Sequence, residues 1–193
     1  MKKSTTKIII IVICLLVVVV GYYAYLSSKA RGSREDVNMT LAQSTLSRDL
    51  ENDYPSTPKE VIKYYNNILK CFYNEECTDE EIDALGHKAR ELYDNELLEK
   101  NELEIYLIRL REDIEDFHEN NRRITSMAVA ASTNVYFFSQ DGFDFARIRC
   151  GYDIMEAGTN RSSALVYLLR KDEEKRWKIY GWDLAKNVDA AME

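Results

Sequence analysis

Residues 103–137 read LEIYLIRLREDIEDFHENNRRITSMAVAASTNVYF, and the hydrophobic period changes within them. Leu103, Leu107, Leu110, Ile114 and Phe117 recur at helical spacing, with Asn101 as the expected cap and Glu104 as its partner. After Arg122-Arg123 the pattern alternates. From Thr125, the positions Met127, Val129, Ala131, Thr133, Val135 and Phe137 predict one face of a long strand that ends at the Asp141-Gly142 turn. A helix that hands over to a strand in this way places the chain among α+β proteins.

Upstream, the same capping grammar occurs twice. Thr57-Pro58-Lys59-Glu60 combines a cap, a first-turn proline and a glutamate that reaches back. It leads a stripe of Val61, Ile62, Tyr65, Ile68, Leu69 and Phe72. Thr78 with Glu81 leads Ile82, Leu85, Ala89, Leu92 and Tyr93. Downstream, strands are expected from Phe143 to about Ile154, from Ser163 to Arg170 and from Trp177 to Leu184, with a turn at Gly158-Thr159-Asn160. The expectation is three helices packed on a curved antiparallel sheet of about four strands.

The N-terminus carries a different signal. Residues 8–26, IIIIVICLLVVVVGYYAYL, hold no charge, and at about 1.5 Å per residue they reach roughly 28 Å, the thickness of a bilayer's hydrocarbon. Lys2, Lys3 and Lys7 precede this run, and Tyr22, Tyr23 and Tyr25 cluster at its far end. These features predict a cytoplasmic tail (1–7), a single membrane-spanning helix (8–26), a juxtamembrane stalk (27–54) and an extracytoplasmic domain (55–193). The rival reading is a cleaved secretory signal, because Ser28-Lys29-Ala30 offers small residues where a signal peptidase reads.

Removing the three lysines before the run leaves 23 Lys+Arg against 33 Asp+Glu, a net charge of −10 for the rest of the chain. Such a surface repels phosphate backbones, so nucleic acid is not an expected partner; the expected ones are the lipid bilayer and a protein or cell-envelope component. Cys71, Cys77 and Cys150 form neither a disulfide framework nor a zinc pattern, and Cys14 falls in the membrane run. The seven glycines make no phosphate cradle, and the acidic runs Asp79–Glu81 and Asp172–Glu174 lack a calcium loop's spacing. His87 and His118 sit in helical contexts with no nucleophile at a telling spacing. No cofactor, metal or catalytic residue is expected.

The order of three helices and then long strands, closing on Arg176–Asp183 (RWKIYGWD), resembles the cystatin-like cone of nuclear-transport-factor-like and ketosteroid-isomerase-like proteins. Tyr54-Pro55, residues 57–61, residues 69–76 (LKCFYNEE) and Tyr180-Gly181-Trp182 together resemble an uncharacterised family of membrane-anchored Gram-positive bacterial proteins, over about residues 37–190. The resemblance implies a fold and an anchor but carries no activity. Cones of this kind often hold a small ligand between helices and sheet, which makes Tyr136, Asp153, Tyr167 and Trp182 the candidate pocket-lining residues. Their alternative role is core aromatics with an aspartate in solvent. Two functions follow, a binding or scaffold module and a small cone-fold enzyme or ligand carrier. The lack of a nucleophile–base or paired-carboxylate signal favours the first.

Overall fold

Thr57 accepts a hydrogen bond from the Glu60 amide at 3.2 Å while the Glu60 carboxylate takes the Thr57 N–H, also at 3.2 Å, so the first expected helix begins where its capping box says. A computed structural model describes residues 39–190. The expected tail, membrane helix and residues 27–38 of the stalk lie outside them. Among the described residues no helix is long and apolar enough to cross a membrane.

The fold is α+β. Its helices are α1 (Leu41–Leu46), α2 (Pro58–Asn74), α3 (Asp79–Arg90), α4 (Asn95–Lys100), α5 (Leu103–Glu119) and α6 (Ala185–Ala190). Its strands are β1 (Arg123–Val129), β2 (Tyr136–Gln140), β3 (Phe143–Glu156), β4 (Thr159–Lys171) and β5 (Trp177–Leu184), joined in one antiparallel sheet. The sheet runs in the order β1-β3-β4-β5, with β2 also on β3. The inner face presents Ala146, Ile148, Cys150, Tyr152, Tyr167, Leu169 and Ile179, all buried under the helices.

The helical stripes hold, with corrections at their ends. Asn101 does not cap α5; its amide instead donates to the Leu97 carbonyl at the end of α4, and Glu102 occupies the cap position without a side-chain bond. Leu92 and Tyr93 are buried as expected but lie past the end of α3, in a turn that opens into a short bridge to β5 at Tyr93. At that bridge Ile179 donates to the Leu92 carbonyl at 2.7 Å, and Asp94 donates to the Ile179 carbonyl at 2.9 Å. The tertiary partner overrides the helical period there, because an extended chain can use the edge hydrogen bonds of β5 and a helix cannot.

The long strand expected from Thr125 is two strands placed end to end along the same edge of β3. Val129 pairs with Cys150 and Tyr136 with Arg147, so residues 130–135 stand opposite residues 148 and 149 alone and loop out through a 3-10 turn at Ser132–Asn134. The stretch Ala130–Asn134 is rich in Ala, Ser and Asn, which favour turns over pleated pairing. The sheet therefore has five strands rather than four. The second turn falls at Ala157-Gly158, both with positive φ, and Thr159 and Asn160 already belong to β4.

Residues 40–54, expected as stalk, pack against the helices. Ala42 and Leu50 are buried, and Tyr64 donates its hydroxyl to the Thr45 carbonyl at 2.7 Å. Wide spacing hid this segment, since one side chain per turn is enough to anchor a chain laid across an existing core.

Candidate functional site

Tyr167 and Trp182 are directly opposed across β4 and β5, on the inner face. A bulge brings them together. Leu169 pairs with Ile179 but Leu168 pairs with Gly181, which leaves Tyr180 as an extra residue in β5. Were every residue of β5 paired in turn, with no bulge, Trp182 would stand opposite Val166 and point to the outer face, because a one-residue slip reverses every side chain beyond it. Gly181 directly after Tyr180 was the local signal for such a bulge.

The structure does not bring the other two candidates to this place. Asp153 follows buried Tyr152 and so projects from the opposite face of β3, where Ser162 donates to its carboxylate at 2.5 Å. Tyr136 opposes Arg147 on that outer face and is 61% exposed, stacked on Phe138. The four candidates split two and two across the sheet.

Around Trp182 the inner face gathers residues that sequence reasoning did not assign to a pocket. Tyr65 comes from the α2 stripe, Tyr93 from the bridge to β5, and Tyr106 from α5. The Trp182 ring lies 6.3 Å from Tyr65, 6.1 Å from Tyr93 and 6.1 Å from Tyr167, centroid to centroid. A cavity of about 480 Å³ opens over this cluster, within the size range of small-ligand pockets. Tyr65, Tyr73, Tyr93, Tyr106 and Trp182 line it, with Ile105 and Leu69 among the aliphatic walls and Glu99, Lys100, Glu102, Arg109 and Asp113 at the rim.

The hydroxyls beneath the cavity satisfy one another. Tyr65 and Tyr93 share a 3.0 Å hydrogen bond. Tyr152 donates to the Asn66 carboxamide oxygen at 2.9 Å, so Tyr167 supplies the proton of its own 2.7 Å contact with Tyr152. Asn66 completes the chain by donating to the Cys150 sulfur at 3.3 Å. Burial pushes Tyr65, Tyr93, Tyr106, Tyr152 and Tyr167 far above the ordinary phenol range. Burial first, and then the Asp113 carboxylate, push Tyr73 to about 12. All six stay neutral across the physiological range.

A larger concavity of about 840 Å³ lies between the start of α4, the β2–β3 turn and the β4–β5 hairpin. Several of its charges are matched, while Glu51, Glu173 and Lys175 on its lining enter no ion pair among the described residues. Arg170 reaches Asp94 at 2.5 Å and Glu96 at 2.7 Å, Arg176 reaches Asp172 at 3.0 Å, and Lys178 donates to the Glu91 carbonyl at 2.6 Å. It is built as a brace between the helices and the sheet edge. His87 is exposed, and His118 uses Nε2 to donate to the Phe72 carbonyl at 3.1 Å. Among the described residues no group of three or more His, Cys, Asp or Glu converges as a metal site.

The chain belongs to a protein family described as a domain of unknown function, DUF6715, whose model matches residues 1–182. No curated protein matches it.

Proposed function

We propose that this member of the family is a membrane-anchored extracytoplasmic binding module. In this reading residues 1–7 stay in the cytoplasm, residues 8–26 span the bilayer, and the domain stands outside as a cystatin-like cone. It holds a protein or cell-envelope partner, and nucleic acid is not a partner. The uncharged run supports the span; Lys2, Lys3 and Lys7 before it are balanced by Lys29, Arg31 and Arg34 after it, so the orientation rests on the free amino group and the usual behaviour of signal anchors. The likeness to membrane-anchored Gram-positive proteins points the same way.

The observation that carries the binding role is the state of the tyrosines under the cavity. Their hydroxyls are held neutral and bonded to each other and to Asn66, so they offer fixed shape and fixed hydrogen bonds to whatever covers them. General acid–base work needs a group that gains and loses its proton near neutral pH. The alternative of a small-ligand carrier rests on the cavity's volume and its aromatic floor.

Protease applied to intact cells tests the placement, with the chain tagged at its C-terminus. Loss of the tag with the cells intact supports it. A protected tag overturns the orientation, and a tagged product in the medium that lacks the first thirty residues overturns the anchor. Photo-cross-linking from the cavity rim in intact cells, followed by recovery of the partner with its mass unaltered, tests the binding role. A chemically altered partner overturns it.

A further inference from the structure

We infer that the cavity over Trp182 takes a pyranose ring of an oligosaccharide, with the C–H face of the sugar laid on the indole and its hydroxyls held by the rim. The inference rests on the binding-module reading and gives it a ligand class. Trp182 is 44% exposed although three tyrosines pack against it, so one side of the indole is supported and the other is open to the cavity. A large ring held rigid by other rings is a platform for a flat, weakly polar surface. Among the described residues the indole N–H makes no hydrogen bond, which leaves it available as a donor.

The rim decides between ligand chemistries. Glu99, Lys100, Glu102, Arg109 and Asp113 carry both signs, and none of the five enters a salt bridge among the described residues. A quaternary ammonium would suit the aromatic floor but would meet Arg109 and Lys100. A phosphate would meet Glu99, Glu102 and Asp113. An acyl chain would bury none of these charges favourably. A neutral ligand with many hydroxyls accepts from the guanidinium and ammonium groups and donates to the carboxylates, while its apolar face covers the ring. The sugar fits both halves of the site.

The full chain in lipid nanodiscs is titrated calorimetrically with the tetramers of β-1,4-linked N-acetylglucosamine, β-1,4-linked glucose and α-1,4-linked glucose, and separately with tetramethylammonium chloride and sodium octanoate. Saturable binding of at least one sugar is expected, together with protection of tryptophan fluorescence from acrylamide. Trp182→Ala should weaken that binding about tenfold or more, and Trp182→Phe by less, since it keeps a ring. Ile105→Asp, at an exposed wall position, should weaken it without altering the melt. Saturation by the ammonium or octanoate alone, no binding of any sugar, or sugar binding that ignores both Trp182→Ala and Ile105→Asp would overturn the inference. Orientation and cross-linking are read in cells, so a failed sugar titration leaves the binding-module reading standing, and a protected C-terminal tag leaves the sugar result standing.

Discussion

Asn74 holds Ile124 by both backbone polar groups: its amide nitrogen donates to the Ile124 carbonyl at 2.8 Å and its amide oxygen accepts the Ile124 N–H at 2.9 Å. The last residue of α2 thus does for the edge of β1 what a neighbouring strand would do, and it fixes where the sheet begins against the helices. Replacing Asn74 with leucine leaves two part-buried backbone groups without their partner. The expected cost is about 1–3 kcal/mol, read as a lower urea midpoint with an unchanged slope. A variant as stable as the parent would mean that water replaces the amide at no loss.

Leu50 is buried although it lies in the segment whose sequence looks like a tether. Leu50→Ala should destabilise the fold by about 2–4 kcal/mol, and a chain that starts at residue 52 should melt well below one that starts at residue 39. Circular dichroism melts of the two truncations decide this; coincident melts would return residues 40–51 to the stalk.

The bulge at Tyr180 is the device that turns Trp182 inward. Inserting one alanine between Gly181 and Trp182 shifts the register by one, so Trp182 should move opposite Val166 and leave the tyrosine cluster. The expected signs are a loss of stability and an altered acrylamide quenching of tryptophan. Unchanged quenching would show that the register tolerates the insertion.

Burial pushes the Cys71 thiol to about 12 and the Cys77 thiol to about 11, in each case chiefly by desolvation of the thiolate. Both should therefore be alkylated far more slowly in the native protein than in urea, and Cys150, buried against Asn66, should behave likewise. Peptide mapping after a pulse of iodoacetamide measures each site separately. Fast native labelling of Cys71 would contradict its packing.

Stability should fall at both ends of the pH scale. The Tyr180 hydroxyl, and then Arg170, hold Glu96 below the ordinary carboxylate range, and Arg122 does the same for Glu156. Because these folded values lie below the unfolded value of about 4.3, their contribution is present above it and is lost as the pH drops through the folded values. The buried tyrosines act in the opposite sense. Their folded values lie above the unfolded value of about 10, so stability is retained below that pH and declines as the pH rises past it. Thermal melts from acid to alkali should be flat in the middle. Glu96→Gln should melt lower at neutral pH and lose less on acidification, and a parallel acid limb in parent and variant would exclude Glu96 as a contributor.

The capping boxes at Thr57 and Thr78, the stripes of α2 and α5, and the last three strands were legible in the chain because each rests on neighbours in sequence: a cap three residues from its glutamate, a face repeating every turn, an alternation of two. The change of period after Arg123 was enough to give the α+β class. What the sequence could not decide were the features set by a distant partner. Asn101 serves α4 instead of α5, Leu92 and Tyr93 leave the helical pattern to lie along β5, and residues 130–135 loop out because β3 offers them only two positions. The candidate site shows the same division most clearly. Tyr167 and Trp182 stood out as aromatic residues on strands, but which face each occupies depends on counting residues from a hydrogen-bonded partner, and one extra residue at Tyr180 reverses the answer. Only the folded register could separate them from Tyr136 and Asp153 and set Tyr65, Tyr93 and Tyr106 beside them.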